Sequence, residues 1–319
     1  MNKMEENLEK QEFPYFLNKE ETLSIWDDPS IVGGIALPEN YYPITNLMSV
    51  LSRLTNGYLD ELDVTILKVL GDAICVNENQ LKRYLQTKLT RTQVSERLKR
   101  LRENGFIDRW QVQSSQFPEQ IKPPAPFTLG VAGYSLMKQL YYTQFFMNPN
   151  KWLSNGLPNI QRYVATNEIR CQLIERKKLK NWIWNGVILN NPSLDRPFAV
   201  AEIATPKGNM NLIIERIQQS KDYISYINKK LDTWETIIGE HHYILVKQAN
   251  KLPCIIVLYV STYSLAEYLS YKLILEKRPM NVWLCVEEEL NQIGFEDSFF
   301  IPVDNGQLKK IRMDFLSKE

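Results

Sequence analysis

The spacing of apolar residues divides this chain into two unlike halves. Up to about Gly57 no helical or strand period lasts, and Pro14, Pro29, Pro38 and Pro43 interrupt scattered aromatics, so residues 1–57 read as a partly ordered arm. From Leu59 the pattern turns helical. Leu59, Leu62, Ile66 and Leu70 recur at helical spacing as far as Gly71, which predicts a first helix with a glycine stop. Asn77 can cap a second helix through Gln86 with Leu81 and Leu85 inward, and Thr90 can cap a third that closes at Asn104-Gly105. Phe106–Val112 alternates as a strand, Ser114–Pro126 is a polar loop rich in proline, and Phe127–Leu129 can return as a second strand. Gly133, Leu136 and Leu140 begin another helix. This order predicts a winged helix-turn-helix over residues 58–146, with the Thr90–Asn104 helix in the position that enters a DNA groove.

Beyond a junction at Met147–Pro158 the pattern changes to mixed helices and strands. The predicted elements of residues 159–319 are a helix over Ile160–Lys178, then strands over Trp182–Leu189 and Pro197–Ala204. A long helix follows, with Ile213, Ile217, Ser220, Ile224, Ile227 and Leu231 on one stripe. Strands at Tyr243–Lys247 and Cys254–Val260, a helix over Leu265–Leu275 and a strand at Val282–Val286 complete the set. Cys254–Val260 is almost wholly apolar, as a strand buried on both faces requires. The fold class is α+β: an N-terminal winged helix-turn-helix followed by an α/β domain around a central mixed sheet.

Composition adds little and charge adds more. With 44% hydrophobic and 24% charged residues the chain is that of a folded protein, and its net charge of +1 excludes a polycation. Between Lys82 and Arg109, however, nine basic side chains face three acidic ones, a local excess of +6, so the remainder sums to −5. Turning the third helix by about 100° per residue puts Val94, Leu98 and Leu101 on the buried face. Thr92, Gln93, Glu96, Lys99 and Arg100 then lie opposite, where side chains reach base edges. Arg91, Arg97 and Arg102 lie on the flanks and Arg109 on the following strand, where guanidiniums suit phosphates.

Other chemistry is sparse. Cys75, Cys171, Cys254 and Cys285 are widely separated and read as reduced core thiols, and no metal site is expected from them. His241 and His242 are adjacent, an awkward spacing for two ligands of one metal on a strand, and no glycine-rich phosphate loop occurs. Glu287-Glu288-Glu289 reads as a solvated helix start, and Trp182 and Trp184 as core. No apolar run approaches membrane-spanning length, so the expected location is the cytoplasm and no membrane partner is expected.

Several short motifs, taken in order, resemble the replication-relaxation family of plasmids and integrative conjugative elements of Gram-positive bacteria. They are Leu62-Asp63-Val64-Thr65-Ile66-Leu67, the run Arg97-Leu98-Lys99-Arg100-Leu101-Arg102-Glu103-Asn104-Gly105-Phe106-Ile107, and Phe127–Gly133. Ala165-Thr166-Asn167-Glu168, Asn185-Gly186-Val187-Ile188 and Ala201-Glu202-Ile203 follow in the corresponding order. The resemblance implies a sequence-specific double-stranded DNA-binding protein of a mobile element, acting in replication or transfer or as a transcriptional regulator, with replication or transfer proteins as partners. A homodimer reading two half-sites is a further expectation.

The resemblance also implies a second domain like the PD-(D/E)XK nuclease core, where clustered carboxylates and a lysine work with Mg or Mn. Glu168, Asn185, Glu202 and Lys207 fall at the corresponding places, but Asn185 stands where an aspartate is expected and Ala204 where the lysine is expected. A nuclease or nickase is therefore the alternative, and otherwise no cofactor is expected. A protein-binding adaptor, its basic helix gripping an acidic partner, is a third reading.

Overall fold

The computed structural model describes residues 15–114 and 123–317, so the first residues of the arm and most of the loop expected at Ser114–Pro126 lie outside the described residues. The chain forms two compact units. One contains residues 25–182, 201–210 and those after 313; the other contains residues up to 24, 183–200 and 211–313.

In the first of these, local capping chemistry sets the helices. Strand β1 (Val32–Ile35) lies within the arm, as does helix α1 (Leu47–Thr55), whose first amides donate to Asn46. Neither was legible as a periodic element. Helix α2 (Glu61–Ala73) starts at a reciprocal box of Asp60 and Asp63, and a short strand, β2 (Cys75–Asn77), leads into α3 (Glu78–Leu85), boxed by Asn77 and Gln80. Helix α4 (Arg91–Glu103) is boxed by Thr90 and Gln93. It ends at Gly105, whose φ of +71° favours glycine.

Strands β3 (Ile107–Gln113) and β4 (Pro126–Leu129) follow, then α5 (Val131–Leu140) and α6 (Trp152–Glu175). The sheet runs β1-β3-β4-β2, each pair antiparallel. Val94, Leu98 and Leu101 are buried as the helical rotation requires, in a core shared with Ile66, Leu70, Leu81, Leu85 and Phe106. Gly133 allows α5 to approach closely, since a Cβ there would sit 2.0 Å from the Phe106 carbonyl oxygen.

Helix α6 starts inside the stretch expected to form the junction, turns at Gly156, where φ is +65°, and runs on to Glu175. It groups with the unit that precedes it for a specific reason. Asn167 donates to the carbonyls of Ala73 and Cys75, both at 2.9 Å, and Gln80 donates to that of Val164 at 2.8 Å. Those amides satisfy backbone acceptors that burial would otherwise leave stranded.

The other sheet has seven strands: β5 (Leu179–Trp184), β6 (Ala199–Thr205), β7 (Gly208–Arg216), β8 (Cys254–Val260), β9 (Val282–Val286), β10 (Phe299–Pro302) and β11 (Leu308–Ile311), hydrogen-bonded in that order. Strands β7, β8 and β9 are parallel, whereas β10 is antiparallel to β9 and to β11. The parallel crossovers contain α7 (Tyr223–His241) and α8 (Tyr263–Leu273), while α9 (Glu287–Ile293) follows β9. The protein is thus α+β with a mixed seven-stranded sheet.

Several expected elements differ. Ile213 belongs to β7 rather than to a long helix, and Ile217 lies just past that strand; their four-residue spacing is helical by coincidence, and Leu212, Ile213 and Ile214 are all buried, as a strand covered on both faces requires. The first strand of this region ends at Trp184, because Asn185 adopts φ +48° and breaks the extended chain. Tyr243–Lys247 yields only an isolated bridge between Val246 and Ile188. Glu287, Glu288 and Glu289 are buried, not solvated: Arg216 pairs with Glu287 at 2.7 Å, and Lys310 with Glu289 at 2.8 Å. Among the described residues no helix is long and apolar enough to cross a membrane.

Candidate nucleic-acid interface

Helix α4 presents Arg91, Thr92, Gln93, Glu96 and Lys99 as exposed side chains, with Arg97, Arg100 and Arg102 half-buried beside them. It follows α3 across residues 86–90, where Lys88 is also exposed, and precedes the β3–β4 pair. The face read from the sequence therefore exists as a surface, but the roles given to its members change.

Gln93 is occupied at the helix start, its Oε1 accepting from the Thr90 amide at 2.9 Å. Arg97 donates through Nη1 to both Asp60 and Asp63 at 2.7 Å, and Arg100 donates through Nη2 to Asp63, which is fully buried. These two arginines fasten α4 to the start of α2. The hydrogen bond from Arg97 holds the Asp60 carboxyl down at about 2, against the opposing effect of burial. Arg102 donates to the Ala36 carbonyl at 2.7 Å, and Arg91 reaches Asn79 at 3.3 Å. Arg109 is half-buried on β3, and its carbonyl accepts from the Ala36 amide at 2.8 Å. Next to it, burial pushes the Asp108 carboxyl up to about 6, although the Arg102 guanidinium pulls the other way.

The local charge excess is consequently smaller in space than along the chain. Lys82 pairs with Glu78 at 2.6 Å, and Arg83 bridges Glu168 at 2.7 Å and Glu175 at 2.6 Å. With Asp60 and Asp63, five carboxylates from outside the Lys82–Arg109 window contact its cations, which lowers +6 to +1. The basic side chains of this window that remain exposed are Lys88, Arg91 and Lys99.

Glu168 and Glu202, two of the residues expected of a nuclease, each accept a structural hydrogen bond. Glu168 lies on α6 and accepts from Arg83 and, at 2.8 Å, from Gln172. Glu202 lies on β6, where Asn209 donates to its Oε1 at 2.7 Å. Asn185 sits beyond the end of β5, its amide donating to the Phe198 carbonyl at 2.9 Å, and Lys207 is exposed in the β6–β7 turn. Among the described residues no three His, Cys, Asp or Glu side chains are grouped to hold a metal ion.

Sequence reasoning missed the acidic partners of α4. Asp60 and Asp63 box the start of α2, and their second duty depends on contacts more than thirty residues away. It missed as well the buried pair of Glu215 on β7 and Lys230 on α7, 2.7 Å apart. Lys230 falls beside the apolar stripe Ile227–Leu231, a position that could have signalled burial.

No family model and no curated protein matches the chain. Among solved structures, the restriction endonuclease FokI bound to DNA is similar at 14% identity and a TM-score of 0.27, over 72% of this chain and 43% of that one. The chain thus spans less than half the length of that structure, and so loose a superposition does not define a shared fold.

Proposed function

We propose that the chain is a double-stranded DNA-binding protein in which α2, α3 and α4 form a winged helix-turn-helix with the β3–β4 pair. The reading is supported above all by the exposed face of α4, where Arg91, Thr92, Glu96 and Lys99 project from a helix whose opposite side is locked into a core. Short polar groups at such a helix start suit base edges, and the exposed cations Lys88, Arg91 and Lys99 suit phosphates. The resemblance to the replication-relaxation family extends the proposal to a mobile element, in replication, transfer or transcriptional control. Glu168 and Glu202 act in this reading as structural acceptors, so binding does not entail cleavage.

Equilibrium binding of a fluorescent random duplex across a salt series tests it. Affinity falls as salt rises, and Lys99→Ala and Arg91→Ala each reduce the steepness of the log–log plot by about one. Neither change alters thermal stability, whereas Arg97→Ala does, because Arg97 holds α2 against α4. Lack of duplex retention at low salt overturns the proposal.

A further inference from the structure

Among the described residues, the four-stranded sheet ends at β1. Strand β1 has β3 as its single sheet neighbour among the described residues, with Val32 opposite Gln113 and Ile35 opposite Trp110. The Ala36 amide donates to the Arg109 carbonyl at 2.8 Å, which fixes the ladder's phase. Residues 32, 34 and 36 direct their backbone groups toward β3, and Gly33 and Ile35 direct theirs to the open side.

Exposed edges are ordinarily guarded by charged side chains, above all lysine, by proline, by bulges or by short strand length. From Ser30 to Leu37, the stretch between Pro29 and Pro38, this edge has no charged residue. Its apolar side chains are also uncovered: Val32 is 60% exposed, Ile35 40% and Leu37 61%. At the middle stands Gly34, where an added Cβ would meet nothing within 4 Å.

We infer that β1 is a homodimerisation edge, pairing antiparallel with β1 of a second copy about a two-fold axis through Gly34. The phase selects this register. Both outward-facing residues must meet one another, so Gly33 lies opposite the partner's Ile35 and Gly34 opposite the partner's Gly34. A second copy is the occupant the edge fits, because the segment is uncharged and imposes no repulsion on itself, and because the axis falls on the residue without a side chain. The glycine pair takes the close, non-hydrogen-bonded position, where backbones approach to about 4.5 Å. Val32 meets the partner's Ala36, so an exposed apolar side chain faces an apolar one there. The two sheets then become one of twice the strand number, and neither β1 remains an edge. The inference does not depend on DNA binding.

The full chain, measured by light scattering after size exclusion, has the mass of two copies of 37.4 kDa. Ile35→Lys, which sets a charge against the partner's Gly33, returns it to one copy. Gly34→Cys supplies an independent check that does not rely on a variant losing structure. With diamide as the oxidant taking up the two electrons and two protons, it gives a disulfide-linked dimer, since the axial spacing lies within disulfide reach. Leu37→Cys does not link to itself, being several residues from the axis. A wild-type monomer at all concentrations up to the solubility limit overturns the inference. So does a dimer that persists in Ile35→Lys and fails to link through Gly34→Cys.

Discussion

With its side chain fully buried, Asp63 accepts from Arg97, from Arg100 and from the Asp60 amide. Replacing it removes the acceptor of two partly buried guanidiniums at once. Asp63→Ala is expected to cost about 3 kcal/mol, the lower end for a broken buried pair because Arg100 retains contact with water. A shift of the urea midpoint with unchanged slope measures it, and a shift no larger than a surface substitution's would remove Asp63 from this role. Asp108 acts in the opposite sense. Burial raises its pKa from 3.8 to about 6, so the folded state holds the proton more tightly than the unfolded one. Its contribution to stability is complete below the unfolded value and is lost as pH rises through the folded one. Asp108→Asn, which stays neutral, should therefore match wild type near the lower of those values. Above the upper one it should exceed wild type by about 1–3 kcal/mol, discounted for partial exposure. Thermal melts of both proteins across that range decide it, and parallel curves would count against the buried ionisation.

At the scale of elements, legibility followed the range of the interaction involved. The start of α4 is decided within four residues, by Thr90 accepting from the Gln93 amide and Gln93 accepting in return, and the sequence displays both partners. Thr90→Ala should cost about 1 kcal/mol of stability, readable as a lower melting temperature, and Thr90→Ser much less. Equal losses in the two variants would point away from the cap. The buried face of α4 was legible for the same local reason, since periodicity alone sets it. What Arg97 and Arg100 do was not, because their partners Asp60 and Asp63 lie on another helix. Strand β1 escaped notice because Gly33 and Gly34 carry no side chains to alternate, and its place is set by pairing with β3. Strand β7 was misread since Leu212–Ile214 and Ile217 satisfy either period, and only strand neighbours choose between them. For Glu168 and Glu202, engagement by Arg83, Gln172 and Asn209 required the fold.

For the whole molecule, a net charge of +1 leaves any electrostatic attraction to local arrangement, and much charge is spent internally. Nowhere is this clearer than in the unit holding β7–β9. Lys230 projects from α7 to Glu215 with side-chain exposures of 3% and 1%, and donates to the Tyr226 hydroxyl at 3.0 Å. The same Glu215 oxygen accepts from the Phe198 amide at 3.1 Å, so one carboxylate ties the start of β6, the end of β7 and the middle of α7. Trp234, one turn further along α7, adds a bond from Nε1 to the Asp195 carbonyl at 3.0 Å. Such a pair need not stabilise more than an apolar replacement of equal volume, yet breaking one side of it is costly. Lys230→Met should therefore lower stability by about 3–5 kcal/mol, because it removes the cation beside a buried carboxylate. Adding Glu215→Gln, which keeps an acceptor for the Phe198 amide while removing the charge, should recover most of that loss. The pair of variants separates charge from packing: if Lys230→Met is as stable as wild type, or if the double variant is no better than the single, the ion pair does not organise this unit, and the apolar stripe of α7 holds it alone.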